Sequence, residues 1–172
     1  FYWPSSPSSG GGFDRANDEN DGDAHFWEVW NRNAPICGYR KHFFRFCSEF
    51  GFQAFPDIRT LRDYTGEAHP NPLSEVVEFH QKREQASVRL VSYAAEEFLL
   101  PRDTETFVYA TQLMQGMAIQ SAVEHFRRHR GRCMGAVYWQ LNDCWPAQSW
   151  SSIDYYGRYK ALHYFAKRFF QP

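Results

Sequence analysis

Glu49 stands in the run Arg45-Phe46-Cys47-Ser48-Glu49-Phe50-Gly51-Phe52-Gln53, a carboxylate among apolar and aromatic residues with no cation beside it in the chain. Taking such a charge out of water costs several kcal/mol unless it is paired or used. Glu49 is therefore the first residue to need a chemical role. A second group is Tyr138-Trp139-Gln140-Leu141-Asn142-Asp143-Cys144-Trp145, where amide, carboxylate and indole follow an apolar run. The third is Gly22-Asp23-Ala24-His25-Phe26-Trp27-Glu28-Val29-Trp30, which packs Asp, His and two Trp together. Sugar rings present flat C–H faces that pack on indoles and hydroxyls that need carboxylates and amides, so these residue types fit a carbohydrate cleft.

Metal chemistry fits the same residues less well. Asn17 to Glu28 carries Asp21, Gly22 and Glu28 at the spacing of a calcium-binding EF-hand loop, but Asn17 and Glu19 occupy ligand positions that the pattern gives to other residues. No helix is expected before it. Asp23 and His25 could hold a metal, yet no third ligand follows at a suitable spacing. His25 could equally do no more than satisfy a backbone carbonyl. No bound cofactor is indicated.

The elements that must position these residues can be read in order. Phe1 to Pro4 suits the tail of a strand, and the loop Pro4 to Gly12, rich in Ser, Gly and Pro, follows it. Phe43 to Cys47 is an apolar run of strand length closed by Gly51, which puts Glu49 at a strand's C-terminal tip. Asp57 to Tyr64 suits a short helix, Leu73 to Leu99 a long one, and Asp103 or Thr104 caps another that ends near Arg130, before Gly131. The cluster Arg127, Arg128, His129, Arg130 complements that helix's dipole and needs no anion. Cys133 to Leu141 is almost continuously apolar, as in a parallel strand covered on both faces. A final amphipathic helix runs from about Arg158 to Phe170. Strands alternating with helices define an α/β class, and three or four strands in this length are compatible with part of a barrel.

Composition narrows the function classes. The chain has 172 residues, a formal net charge of -1, 43% hydrophobic and 19% aromatic residues. Near-neutral charge argues against a nucleic-acid or membrane-surface partner, and no apolar run is long enough to span a bilayer. Cys37, Cys47, Cys133 and Cys144 form no C-x-x-C pair and are expected as buried free thiols. The start at Phe1-Tyr2-Trp3, with no Met, is expected of a piece whose preceding part lies upstream.

The Glu49 run, the stretch Tyr138 to Pro146, Ser149-Trp150-Ser151-Ser152-Ile153-Asp154-Tyr155, Tyr2-Trp3-Pro4-Ser5-Ser6-Pro7-Ser8 and Gly22 to Trp30 together resemble the β-mannosidases of glycoside hydrolase family 2, in the same order. The resemblance implies the C-terminal half of a (β/α)8 barrel, about strands five to eight with their helices. Residues 1–172 would be a partial catalytic domain, with the N-terminal half of the barrel and any flanking β-sandwich domains supplied by the rest of the polypeptide. It implies a retaining exo-β-mannosidase acting on terminal β-mannosyl residues. Glu49 matches the nucleophile, Trp139 the platform under the reacting sugar, and His25, Trp27, Asn142, Asp143 and Trp145 are pocket residues. The nucleophile needs hydrogen-bond donors, for which Ser48 and the groups around Asn142 are candidates. The family's acid/base Glu follows an Asn, and no Asn-Glu pair occupies an early position here, so the chain alone is expected to be silent and poorly stable. A β-galactosidase, a β-glucuronidase or a carbohydrate-binding protein without catalysis are the competing readings.

Overall fold

β2 (Cys47–Phe50) is the middle strand of a three-stranded parallel sheet, between β1 (Ala24–Phe26) and β3 (Ala136–Tyr138). The structure is a computed structural model and describes residues 2–11 and 15–172. Chain contacts divide it into two units: Phe1–Gly51 with Ala118–Trp139, and Phe52–Met117 with Gln140–Pro172. The α/β class expected from the sequence holds.

In the first unit, β1 is followed by the short helix α1 (Glu28–Arg32) and a 3-10 helix (Ile36–Lys41) that lead back to β2. Parallel strands need such a crossover, because a tight turn cannot return the chain in the same direction. Phe26, Val29, Trp30, Tyr39, Phe44, Cys47 and Phe50 are buried and form the core with Ile119, Val123 and Phe126. Phe50 meets Tyr39 at 6.0 Å and Phe126 at 5.6 Å between ring centroids, both edge to face. Each large apolar side chain removed from water contributes about 1.5–3 kcal/mol, so the rings around Phe50 anchor β2 firmly.

Strand β2 breaks the usual alternation: Cys47 and Phe50 are buried, while Ser48 and Glu49 between them are both half-buried. The register explains this. Ala24 pairs with Cys47 but His25 pairs with Glu49, so β2 carries one extra residue against β1. A bulge of this kind re-aims side chains, and here it turns two consecutive polar residues out of the core. The strand also begins later than its apolar run suggests, at Cys47 rather than Phe43.

β3 corrects an expectation. Its burial is only partial, with Val137 53% exposed. It pairs with β2 along one edge, and Met134, Trp139 and Leu141 also keep large exposed surfaces. The apolar run is therefore not covered on both faces within the chain. Tyr2 to Pro4 is not a strand, and Phe1 and Gly12, at the ends of the expected strand tail and loop, lie outside the described residues. What the loop does supply is an antiparallel bridge between Ser8 and Asp23. Gly22 permits it: its φ is +65°, and a Cβ there would stand 1.8 Å from the Ser8 carbonyl oxygen.

The second unit is mainly helical, with α2 (Ile58–Thr65), α3 (Glu75–His80), α4 (Ala86–Glu97) and α6 (Ala161–Phe169). The long α5 (Thr104–Arg128) gives its first half to this unit and its second half to the other. Asp57 caps α2 by accepting from the Arg59 amide at 2.8 Å, and Gly66 ends it with φ +72°. Asp103 does the capping at α5, accepting from the Thr106 amide at 2.8 Å. The single helix expected from Leu73 to Leu99 is two, because Gln85 takes a left-handed conformation (φ +59°) that interrupts the helical ladder before Ala86. Cys47 and Cys133 are buried free thiols, as expected, whereas Cys37 and Cys144 are exposed. Among the described residues no helix is long and apolar enough to cross a membrane.

Candidate active site

Pairing of His25 with Glu49 across β1 and β2 brings two of the expected site residues side by side. Glu49 Oε1 accepts a hydrogen bond from Trp27 Nε1 at 2.9 Å, and His25 Nδ1 lies 3.6 Å from the same oxygen. The Glu49 side chain is 25% exposed, so it is shielded yet open to a ligand. No Lys or Arg pairs with it among the described residues. Trp139 belongs to the same unit: its amide donates to the Phe50 carbonyl at 2.7 Å, which fixes it beside the residue that follows Glu49, with its side chain 44% exposed. Glu49, His25, Trp27 and Trp139 thus cluster around the C-terminal ends of three parallel strands. In parallel α/β proteins that end of the sheet carries the ligand.

Ser48, expected as a donor to Glu49, turns elsewhere. Its hydroxyl donates to Asp23 Oδ2, where Ser6 Oγ also approaches at 2.5 Å. Asp23 Oδ1 accepts from Trp3 Nε1 at 3.0 Å and from the Ser8 amide at 2.9 Å. Burial works to raise the Asp23 carboxyl, but the bonds from Ser48, Ser6, Trp3 and Ser8 outweigh it and hold it below the usual carboxylate value. Asp23 is therefore a hub that ties the Ser-rich loop to the sheet. Among the described residues no group of three His, Cys, Asp or Glu could hold a metal ion.

The acidic loop is stitched to its neighbours instead. Asn17 Oδ1 accepts from the His25 amide at 2.7 Å, and Glu19 accepts from the Phe43 amide and pairs with His42 Nδ1, both at 2.7 Å. The first of these contacts holds the backbone of His25.

Asn142, Asp143 and Trp145 fall in the second unit and have different surroundings. Asn142 is exposed. The Asp143 side chain is only 1% exposed and takes Lys82 Nζ at 2.7 Å, Gln140 Nε2 at 3.1 Å, Ser149 Oγ at 2.6 Å and Ser151 Oγ at 2.5 Å. Its acceptor positions are filled from within the chain. Trp145 stacks on His80 with centroids 4.4 Å apart and donates its indole N–H to the His80 carbonyl at 2.8 Å. Tyr64 stacks on the same imidazole at 4.3 Å. Nearby, Lys160 is fully buried and donates to the carbonyls of Ala54 at 3.2 Å and Ser149 at 3.0 Å. Burial pushes its pKa down to about 7, against the opposing pull of Asp143 and Asp154.

Sequence reasoning missed the roles of Trp3, Ser6, Asp23 and Ser48 in one network, and of Lys160. Pro4 to Gly12 has the composition of a linker, which hid Ser6. The signal was Gly22-Asp23, a glycine that allows close backbone approach followed at once by a carboxylate.

This chain sets a carboxylate, an imidazole and indoles at one end of a parallel sheet, residue types that suit a sugar ligand. No family model matches it. It is 40% identical over 182 aligned residues to β-mannosidase B of Thermothelomyces thermophilus and 35% identical over 181 to β-mannosidase B of Emericella nidulans. These alignments take in 99% and 100% of this chain and 21% of each relative. A solved structure, the β-D-mannosidase of Dictyoglomus thermophilum, superposes with a TM-score of 0.85 at 40% identity, covering 90% of this chain and 19% of that one. The chain is β-mannosidase-like along its length, and it spans about a fifth of the proteins it resembles.

Proposed function

We propose that the chain is part of a retaining exo-β-mannosidase of glycoside hydrolase family 2, in which Glu49 is the nucleophile. The observation that carries this is the Glu49 carboxylate, a quarter exposed at the end of the central strand and held through one oxygen by the Trp27 indole. Glu49 would attack the anomeric carbon of a terminal β-mannoside to form a covalent glycosyl ester, which water then hydrolyses. With Oε1 held by Trp27, Oε2 makes the attack. The second carboxyl group, which protonates the leaving oxygen and later activates water, would stand about 5–5.5 Å away and come from a part of the polypeptide beyond this chain. The three parallel strands and their helices would belong to the C-terminal half of a (β/α)8 barrel, with residues 1–172 a partial catalytic domain completed by the rest of the polypeptide.

In this reading Trp139 and Trp27 offer indole surface to the sugar and His25 lies against the nucleophile. Asn142 is assigned to the substrate by the resemblance in sequence alone. Asp143 acts through others, since its carboxylate is filled by Lys82, Gln140, Ser149 and Ser151. Trp145 offers only the part of its ring that His80 leaves uncovered. No cofactor takes part in the steps so drawn.

The test is Glu49→Gln in the complete polypeptide, which keeps the shape and removes the nucleophile. Turnover of an aryl β-mannoside is expected to fall by at least about a thousandfold while binding of mannose-like inhibitors persists. Unchanged turnover would remove Glu49 from the chemistry and place the nucleophile elsewhere in the polypeptide.

A further inference from the structure

The hydrogen bonds around Asp23 determine where the proton of His25 resides. Two oxygens as close as Ser6 Oγ and Asp23 Oδ2, at 2.5 Å, require a proton between them. Asp23 is held in its charged form by four donors, and a carboxylate can only accept. The Ser6 proton is therefore committed to Asp23, and so is that of Ser48, which donates to the same oxygen. The Ser48 hydroxyl lies 3.2 Å from that of Ser6 and has no further proton to give it. Ser6 Oγ can then meet His25 Nε2, at 2.9 Å, only as an acceptor. Nε2 therefore carries a proton, and in the neutral imidazole Nδ1 is bare. The 3.6 Å between Nδ1 and Glu49 Oε1 agrees with this, since it is beyond hydrogen-bond reach and suits two atoms that both present lone pairs.

Resting on the reading of Glu49 as the nucleophile, we propose that Asp23 and Ser6 are positioning residues that act through His25: they hold its proton on Nε2 and so keep the imidazole from donating to Glu49. The opposite tautomer would point an N–H at the carboxylate and spend a lone pair of the nucleophile on a hydrogen bond that must break before attack. Trp27 already supplies the orienting donor to Oε1. A second one, from a ring on the neighbouring strand, would stabilise the ground state more than the transition state, where the charge on Glu49 is being lost. The Ser-rich loop is thus part of the active site through Ser6, although Ser6 itself need not touch the sugar.

The test uses Ser6→Ala and Ser6→Thr in the complete polypeptide, with histidine ring nitrogens labelled by 15N and the His25 signal assigned by its loss in His25→Asn. Wild type is expected to show the Nε2–H tautomer for His25. Ser6→Ala is expected to populate the Nδ1–H tautomer and to slow covalent labelling by a 2-deoxy-2-fluoro-β-mannosyl donor about tenfold, the worth of one hydrogen bond, with inhibitor affinity unchanged. Ser6→Thr, which restores a hydroxyl, is expected to return both to wild-type values. A His25 that keeps Nε2–H in Ser6→Ala, or Ser6→Ala labelled at the wild-type rate, would overturn the proposal. Failure of the wild type to label at all would instead count against the β-mannosidase reading, and the tautomer measurement would still decide the relay.

Discussion

At Glu49 the deciding contact is the indole of Trp27. A hydrogen bond to a charged group is worth about 1.5–3 kcal/mol, and here it orients one carboxylate oxygen so that the other can face a reacting carbon. Trp27→Phe keeps the ring and removes the N–H. It is expected to lower kcat on an aryl β-mannoside about tenfold or more with little change in KM, and an unchanged kcat would reduce Trp27 to a packing role. Lys160 makes a separate claim, on stability. Its pKa in the folded chain is down at about 7 because it is fully buried, whereas an unfolded lysine stays charged to about pH 10.4. Between those values the unfolded chain binds more protons, so stability rises with pH across that window, and the penalty for the buried charge stands in full below it. Thermal unfolding of wild type and Lys160→Met across the window is expected to show wild type gaining on the variant as pH rises. Parallel curves would mean that Lys160 does not titrate there.

The elements explain why these residues meet. β2 leaves both Ser48 and Glu49 out of the core, with an extra residue in its pairing with β1 and another in its pairing with β3. Sequence periodicity locates a strand from its apolar run but contains no term for such a bulge, so Ser48 was expected at Glu49 and instead binds Asp23. Glu49 itself was legible, because a lone carboxylate among Phe and Cys stands out and Gly51 marks the strand end. Helices with side-chain caps were legible too: Asp57 and Asp103 begin α2 and α5 as residue type alone suggests. The break at Gln85 was not, since Gln gives no sign of a left-handed backbone. The Ser6 to Asp23 network depends on contacts between residues 17 apart brought together by a bridge, which no local pattern encodes. Gly22 is the joint of that bridge. Gly22→Ala would strain a positive φ and drive a Cβ into the Ser8 carbonyl. It is expected to destabilise the protein by about 1–3 kcal/mol, seen as a lower Tm, and an unaltered Tm would show the loop to be docked by side chains alone.

Taken whole, the chain presents three parallel strands whose outer members, β1 and β3, each have one edge unpaired within the sheet, and apolar side chains in and beside β3, Met134, Val137 and Trp139, that stay exposed. Unpaired edges and exposed apolar side chains are what a larger sheet would cover, in keeping with a chain that spans about a fifth of the β-mannosidases it resembles. The reading of Glu49 as the nucleophile of such an enzyme is tested most directly by trapping. A 2-deoxy-2-fluoro-β-mannosyl donor with a good leaving group slows both steps through its fluorine but keeps the first one viable, so the glycosyl ester accumulates. After digestion with trypsin the relevant peptide runs from residue 46 to 59, and its carboxylates are Glu49 and Asp57. A fluoromannosyl adduct on Glu49 is the expected result. An adduct on another residue, or none while the enzyme still turns over β-mannosides, would contradict the assignment.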